Sequence, residues 1–188
     1  MVTIKSVKKK FFEVKLPLTA TKVHLLAKTP EELEGSVIKL DLTRNLRGKN
    51  LELKIRVHYK NGELEGEPTS MLLLGSYIRR AMRKGADYVE DSFEAECRDA
   101  ILRIKPFMIT RKKVSRAIRK SLRNNARKFL ESHIKIHTLD EILSQIMANK
   151  LQKELSLKLK KIYPLAFCEI RVIELIKRKD APVIEAKE

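Results

Sequence analysis

The chain has 188 residues and carries 41 Lys and Arg against 24 Asp and Glu, a formal net charge of +17. Hydrophobic residues make up 43% of it, enough for a packed core, which excludes a disordered basic tail. An excess of this size costs self-repulsion unless a polyanion neutralises it. No apolar run approaches the roughly 18 residues of a membrane-spanning helix, and MVTIKSVKKK lacks the apolar stretch of a signal peptide. Cys97 and Cys168 lie far apart with no CxxC, which argues against a secreted disulfide scaffold and for two core residues. The expectation is a soluble, intracellular protein with a polyanionic partner and no membrane.

In chain order, the basic arm of residues 1–10 leads into FFEVKL, whose alternation buries Phe12, Val14 and Leu16. KVHLLAK is a weaker strand, followed by an acidic loop at Glu31–Glu34. VIKLDL buries Ile38, Leu40 and Leu42. LELKIRVHYK puts Leu51, Leu53, Ile55, Val57 and Tyr59 on one face, the pattern of a half-buried antiparallel strand. Asn61-Gly62 is a hairpin signal, but the stretch after it reads as too polar for a clear return strand.

From about Met71 the period turns helical, with Tyr77, Ile78, Ala81 and Met82 as the apolar stripe. DYVEDSFEAEC and ILRIKPFMI read as two strands joined at Arg98-Asp99. A two-residue turn there sets Glu94 opposite Arg103 and Phe93 opposite Ile104. Lys112 to about Ser132 reads as a helix with a buried stripe of Val114, Ala117, Ile118, Leu122, Ala126 and Phe129. Thr138 and Glu141 form a capping-box pattern opening a second helical stretch, with a break expected at Asn149. FCEIRVIELIK returns as a last strand, and a charged tail spans 178–188. These elements describe a single α+β domain over 1–188, mainly antiparallel, with about seven strands and three or four helices.

The charge is unevenly placed. From Ala100 to Leu130 there is no acidic residue, while Arg103, Lys105, Arg111, Lys112, Lys113, Arg116, Arg119, Lys120, Arg123, Arg127 and Lys128 all fall there. A solvated helix normally intersperses both signs, since each i,i+4 pair of opposite charge stabilises it by ~0.2–0.5 kcal/mol. A helix that forgoes such pairs needs an external counter-charge. The loop TRNLRGKN adds Arg44, Arg47 and Lys49 around Gly48, and the N-terminal arm adds Lys8, Lys9 and Lys10. With few aromatics and no zinc finger, basic zipper or RNP strands, RNA bound by phosphate and shape contacts is favoured over DNA. A basic amphipathic helix can also lie on a membrane or in a partner's groove, but such helices usually carry Trp, which this chain lacks.

No nucleotide-binding glycine motif, HExxH or GxSxG occurs. His133 and His137 have a chelating spacing but no neighbouring ligands, so they read as ordinary surface histidines. Asp87, Glu90, Asp91, Glu94, Glu96 and Asp99 could hold Mg²⁺, but their alternation beside a basic strand reads better as salt bridging. No catalytic residue, metal site or cofactor is therefore expected. A metal-dependent RNA-processing enzyme using the acidic 87–99 strand, and a duplex-DNA chromatin protein, are the rival readings.

KKKFFEVKLP, GSVIKLDLTRNLRGKN, SYIRRAMRKG with the acidic strand after it, the RKK-led basic helix and IYPLAFCEIRVIELIK together resemble, in the same order, the small-subunit ribosomal proteins of the S3Ae (eS1) family. The absence of the longer extensions of eukaryotic members makes the chain similar to an archaeal version. The resemblance implies a β-barrel-like core flanked by helices. It also implies a structural, non-enzymatic role on the small-subunit platform near the mRNA exit, in the cytoplasm. The implied partners are small-subunit ribosomal RNA, neighbouring platform proteins and mRNA near the exit channel. The RNA-binding residues expected are Lys8–Lys10, Arg44, Arg47, Lys49, Arg111–Lys113, Arg116, Arg119, Lys120, Arg123, Arg127 and Lys128. Arg79, Arg80, Arg83 and Lys84 either join them or pair with the acidic strand.

Overall fold

Strand β4 (Leu51–Lys60) shows why the period-two reading works. Leu51, Leu53, Ile55 and Val57 are at most 2% exposed, while their polar neighbours lie towards solvent. The computed structural model describes residues 8–44, 46, 48–60 and 62–179. Arg47, Asn61, most of the N-terminal arm and the tail from Asp180 lie outside the described residues. Two compact units are formed, Met1–Leu40 with Leu53–Thr69, and Asp41–Glu52 with Ser70–Glu188.

In the first unit β1 (Lys10–Leu16) pairs antiparallel with β2 (Thr21–Ala27), from Lys10 opposite Ala27 to Leu16 opposite Thr21. β3 (Val37–Asp41) pairs with β4, and β4 with β5 (Glu63–Leu73), which also runs parallel to β1 at Val14–Leu64. The acidic loop holds a 3-10 turn, Pro30–Leu33, that buries Leu33. The stretch after Asn61-Gly62 is a full return strand, contrary to the expectation from its polarity. Its inward positions include Gly66 and Pro68, which a hydrophobic count misses, and the polar residues Glu63 and Glu65 point outward. Gly66 is required by packing. A Cβ there would lie 2.3 Å from Leu16 Cδ2 and 2.7 Å from Ile55 Cγ2.

In the second unit the end of β5 leads into helix α1 (Gly75–Ala81), one turn later than the sequence period suggests. The acidic segment is two short strands, β6 (Tyr88–Glu90) and β7 (Phe93–Glu96), both antiparallel to β8 (Ala100–Thr110). The expected register holds, with Phe93 opposite Ile104 and Glu94 opposite Arg103. β9 (Leu165–Arg178) runs antiparallel along β8 and also pairs with β5 at Ser70–Leu72. Among the described residues there are thus nine strands rather than about seven, mostly antiparallel, and within neither unit do their pairs close a ring.

Helix α2 (Arg116–Ile134) starts later than expected, because Ser115 caps it by accepting from Ile118 N. Its buried line is Leu122, Ala126, Leu130 and Ile134. Ala117 is exposed, and Val114 precedes the helix. α3 (Leu139–Met147) carries the anticipated capping box, with Thr138 N donating to Glu141 Oε2 at 3.0 Å. Asn149, in the left-handed region at φ 57°, breaks the stretch before α4 (Lys150–Lys160).

Candidate nucleic-acid interface

The lead into α2 is pinned from below. Asp87 Oδ2 accepts from Val114 N at 2.9 Å, and Thr110 Oγ1 accepts from Asp87 N at 3.0 Å and donates to the Lys112 carbonyl at 2.7 Å. That ties Arg111, Lys112 and Lys113 to the end of β8 with their side chains exposed. On the helix, Arg116, Lys120 and Lys128 are also exposed. None of these six cations has an ion pair among the described residues. Among the described residues no carboxylate answers their charge.

Two of the arginines nearer the buried line, Arg123 and Arg127, are already engaged. Arg119 is half-buried, and its Nε has no hydrogen-bond partner among the described residues. Arg123 Nε donates to the Glu90 carbonyl at 3.1 Å. Arg127 Nε lies 2.7 Å from Glu131 Oε1, which raises the guanidinium pKa, and its charge sits 5.4 Å from the centre of the Phe93 ring. The polar face of α2 is therefore divided between an outward row and a row that fastens the helix to β6 and β7.

The loop before β4 behaves differently from expectation. Arg44 is exposed, and Arg47 lies outside the described residues. Lys49 is only 6% exposed; its Nζ lies 2.6 Å from Glu169 Oε2 and 2.9 Å from Asn149 Oδ1. This ammonium is already paired inside the second unit. Lys8, Lys9 and Lys10 are exposed on the first unit.

The acidic segment is fully occupied by structural work. Glu94 binds Arg103 at 2.9 Å, Glu90 binds Arg171 at 3.3 Å and Glu96 binds Lys179 at 3.0 Å. Asp99 accepts from Leu139 N at 3.0 Å and so caps α3. Asp91 accepts from Ser92 N. Among the described residues no group of three or more His, Cys, Asp or Glu is placed to hold a metal ion. His133 and His137 stack face to face with centroids 4.2 Å apart, and His137 Nδ1 donates to the His133 carbonyl at 2.8 Å. That is packing geometry, not chelation. Both thiols are free; burial and the Glu169 charge push Cys168 up to about 12, and burial raises Cys97.

Because the acidic carboxylates go elsewhere, Arg79, Arg83 and Lys84 are exposed with no ion pair among the described residues, and Arg80 donates to Asn50 Oδ1 at 2.6 Å. These four, left open by the sequence, extend the basic surface. The signal that separates them from paired cations is the register of β7 on β8, which assigns Glu94 to Arg103.

Residues 4–179 match the Ribosomal S3Ae family. The chain belongs to that family. It is 27% identical over 184 residues to the small ribosomal subunit protein eS1 of Nanoarchaeum equitans, covering 92% of this chain and 91% of that protein. It is 25% identical over 180 residues to the eS1 protein of Desulfurococcus amylolyticus, covering 91% of this chain and 82% of that one. To the eS1 protein of Sulfurisphaera tokodaii it is 24% identical, at 90% and 92% coverage. This S3Ae-family chain is of the archaeal type.

Proposed function

We propose that this chain is a structural constituent of the small ribosomal subunit that binds ribosomal RNA through the outward row of α2 and the cations leading into it. The observation that carries the reading is the set Arg111, Lys112, Lys113, Arg116, Lys120 and Lys128, exposed and without ion pairs among the described residues. Phosphates supply what the fold does not. Neutralising closely spaced phosphates lets RNA helices approach one another, so the protein's contribution is to shape and hold RNA. Arg44, Lys8, Lys9 and Lys10 widen the footprint, and Arg79, Arg83 and Lys84 join it. Arg123 and Arg127 serve by fixing the helix.

The names of the relatives support a small-subunit role in translation. The reading further places the protein on the platform near the mRNA exit, in the cytoplasm, beside platform proteins and emerging mRNA. It carries with it the barrel-like core and single-domain organisation implied by the resemblance. The role is structural; engagement of Glu90, Glu94, Glu96 and Asp99 in ion pairs and caps leaves no support for metal-dependent RNA cleavage.

Sedimentation of the native protein from lysate on a density gradient tests this, at low and then high salt. Co-migration with small subunits that survives moderate salt is expected. Migration as free protein at low salt overturns the reading.

A further inference from the structure

A pocket of about 330 Å³ opens beside α1, floored by Ile78 and Phe107 and walled by Met82 and Tyr88. Both walls are open to solvent, Tyr88 at 54% exposed and Met82 at 46%. The cause lies in β6. Val89 takes the single inward position, so Tyr88 and Glu90 both point outward. Tyr88 lies nearly parallel to the buried Phe107 ring, 21° apart with centroids at 6.1 Å, which holds its orientation.

The pocket's charge is as telling as its shape. Glu90, the one carboxylate in its lining, binds Arg171 at 3.3 Å. Arg79, also in the lining, has no ion pair among the described residues, and Arg83 and Lys84 follow it close by in the chain with none either. A fixed aromatic face and an unanswered guanidinium thus share one small cavity. An apolar side chain of a protein partner would fill the cavity and leave the cation unmatched. A nucleotide supplies both a flat ring for Tyr88 and an anion for Arg79, and stacking on an aromatic tolerates any base. The Glu90 carbonyl is in turn held by Arg123 of α2, which links the pocket to the basic helix.

We propose that this pocket receives one unstacked nucleotide of the RNA partner, its base against Tyr88 and Met82 and its phosphate on Arg79. The inference rests on the RNA-binding reading and adds a base-stacking site to a surface otherwise limited to phosphate contacts.

A short single-stranded RNA carrying 2-aminopurine, titrated into the full chain, tests it. Binding quenches the fluorophore in the wild type and in Tyr88→Phe. Tyr88→Ala loses the quenching and binds about tenfold more weakly, while its affinity for a perfect RNA duplex is unchanged. Arg79→Ala weakens single-strand binding but keeps the quenching. Unaltered quenching and affinity in a folded Tyr88→Ala variant overturn the stacking site and leave the RNA-binding reading standing. Failure of the wild type to bind either RNA overturns both. A photoreactive group at position 88 in assembled subunits is expected to cross-link to RNA; a protein adduct assigns the pocket to a protein side chain and ends the proposal.

Discussion

Lys49 Nζ sits 2.6 Å from Glu169 Oε2, with both side chains largely shielded from solvent, and the same ammonium reaches Asn149 Oδ1 at 2.9 Å. One lysine in a basic loop thereby joins that loop to the start of α4 and to β9. Removing one partner of a buried pair leaves a charge without compensation, at a cost of about 3–5 kcal/mol.

Lys49→Ala is therefore expected to lower unfolding stability by about 3 kcal/mol or more in denaturant titrations. The double variant Lys49→Met with Glu169→Leu recovers most of that loss, because neither charge remains buried. RNA affinity, measured where the variants are folded, stays at the wild-type level. A loss of affinity in the folded double variant would show that Lys49 contacts RNA after all.

Gly66 is held by packing in the first unit, with Leu16 and Ile55 occupying the space a Cβ needs. Gly66→Ala forces those core side chains aside and is expected to cost about 1–3 kcal/mol. Thermal unfolding measures it. A rise in stability, the usual result of Gly→Ala in an open strand, would contradict the close approach.

The division of α2 into two rows changes which substitutions test RNA binding. Reversing Arg116, Arg119 and Arg123 together would not isolate the RNA contact from the fold. Arg119 is half-buried and Arg123 bonds the Glu90 carbonyl, so that set damages the helix docking as well. Lys112→Glu, Lys113→Glu, Lys120→Glu and Lys128→Glu act on the outward row alone. If the wild type neutralises about eight phosphates, log K against log salt has a slope of roughly −6 to −7. The fourfold variant is expected to flatten it by about three, with an unchanged circular dichroism spectrum.

His133 titrates below its ordinary value of 6.5, first because burial disfavours the cation and then because His137 stacks beside it. The unfolded chain therefore takes up this proton first as pH falls. Stability is fully present above about pH 6.5 and declines below it, through the folded-state value. Melting temperature is expected to drop between pH 7 and pH 5.5, and His133→Gln to flatten that dependence. An equally steep drop in the variant would move the effect to another group.

The alternation in β4, the capping box at Thr138 and Glu141, the break at Asn149 and the pairing of Glu94 with Arg103 were all legible from spacing. Each is a local pattern whose partners lie within one strand, one turn or one hairpin. The return strand β5 was not, since small residues at Gly66 and Pro68 hide its inward face. Nor was the pocket at Tyr88, which needs α1, β6 and β8 together.

By itself the sequence determined that the protein carries a large positive excess concentrated in an acid-free stretch, and which periods build its strands and helices. Charge and period are properties of the chain, present before it folds. Only the tertiary structure decided what each cation does. Lys49 found a buried carboxylate and Arg123 a carbonyl, while Lys120, Lys128 and Arg79 were left facing solvent without an ion pair among the described residues. The Lys49–Glu169 pair joins residues 120 apart in sequence, and packing sets that distance.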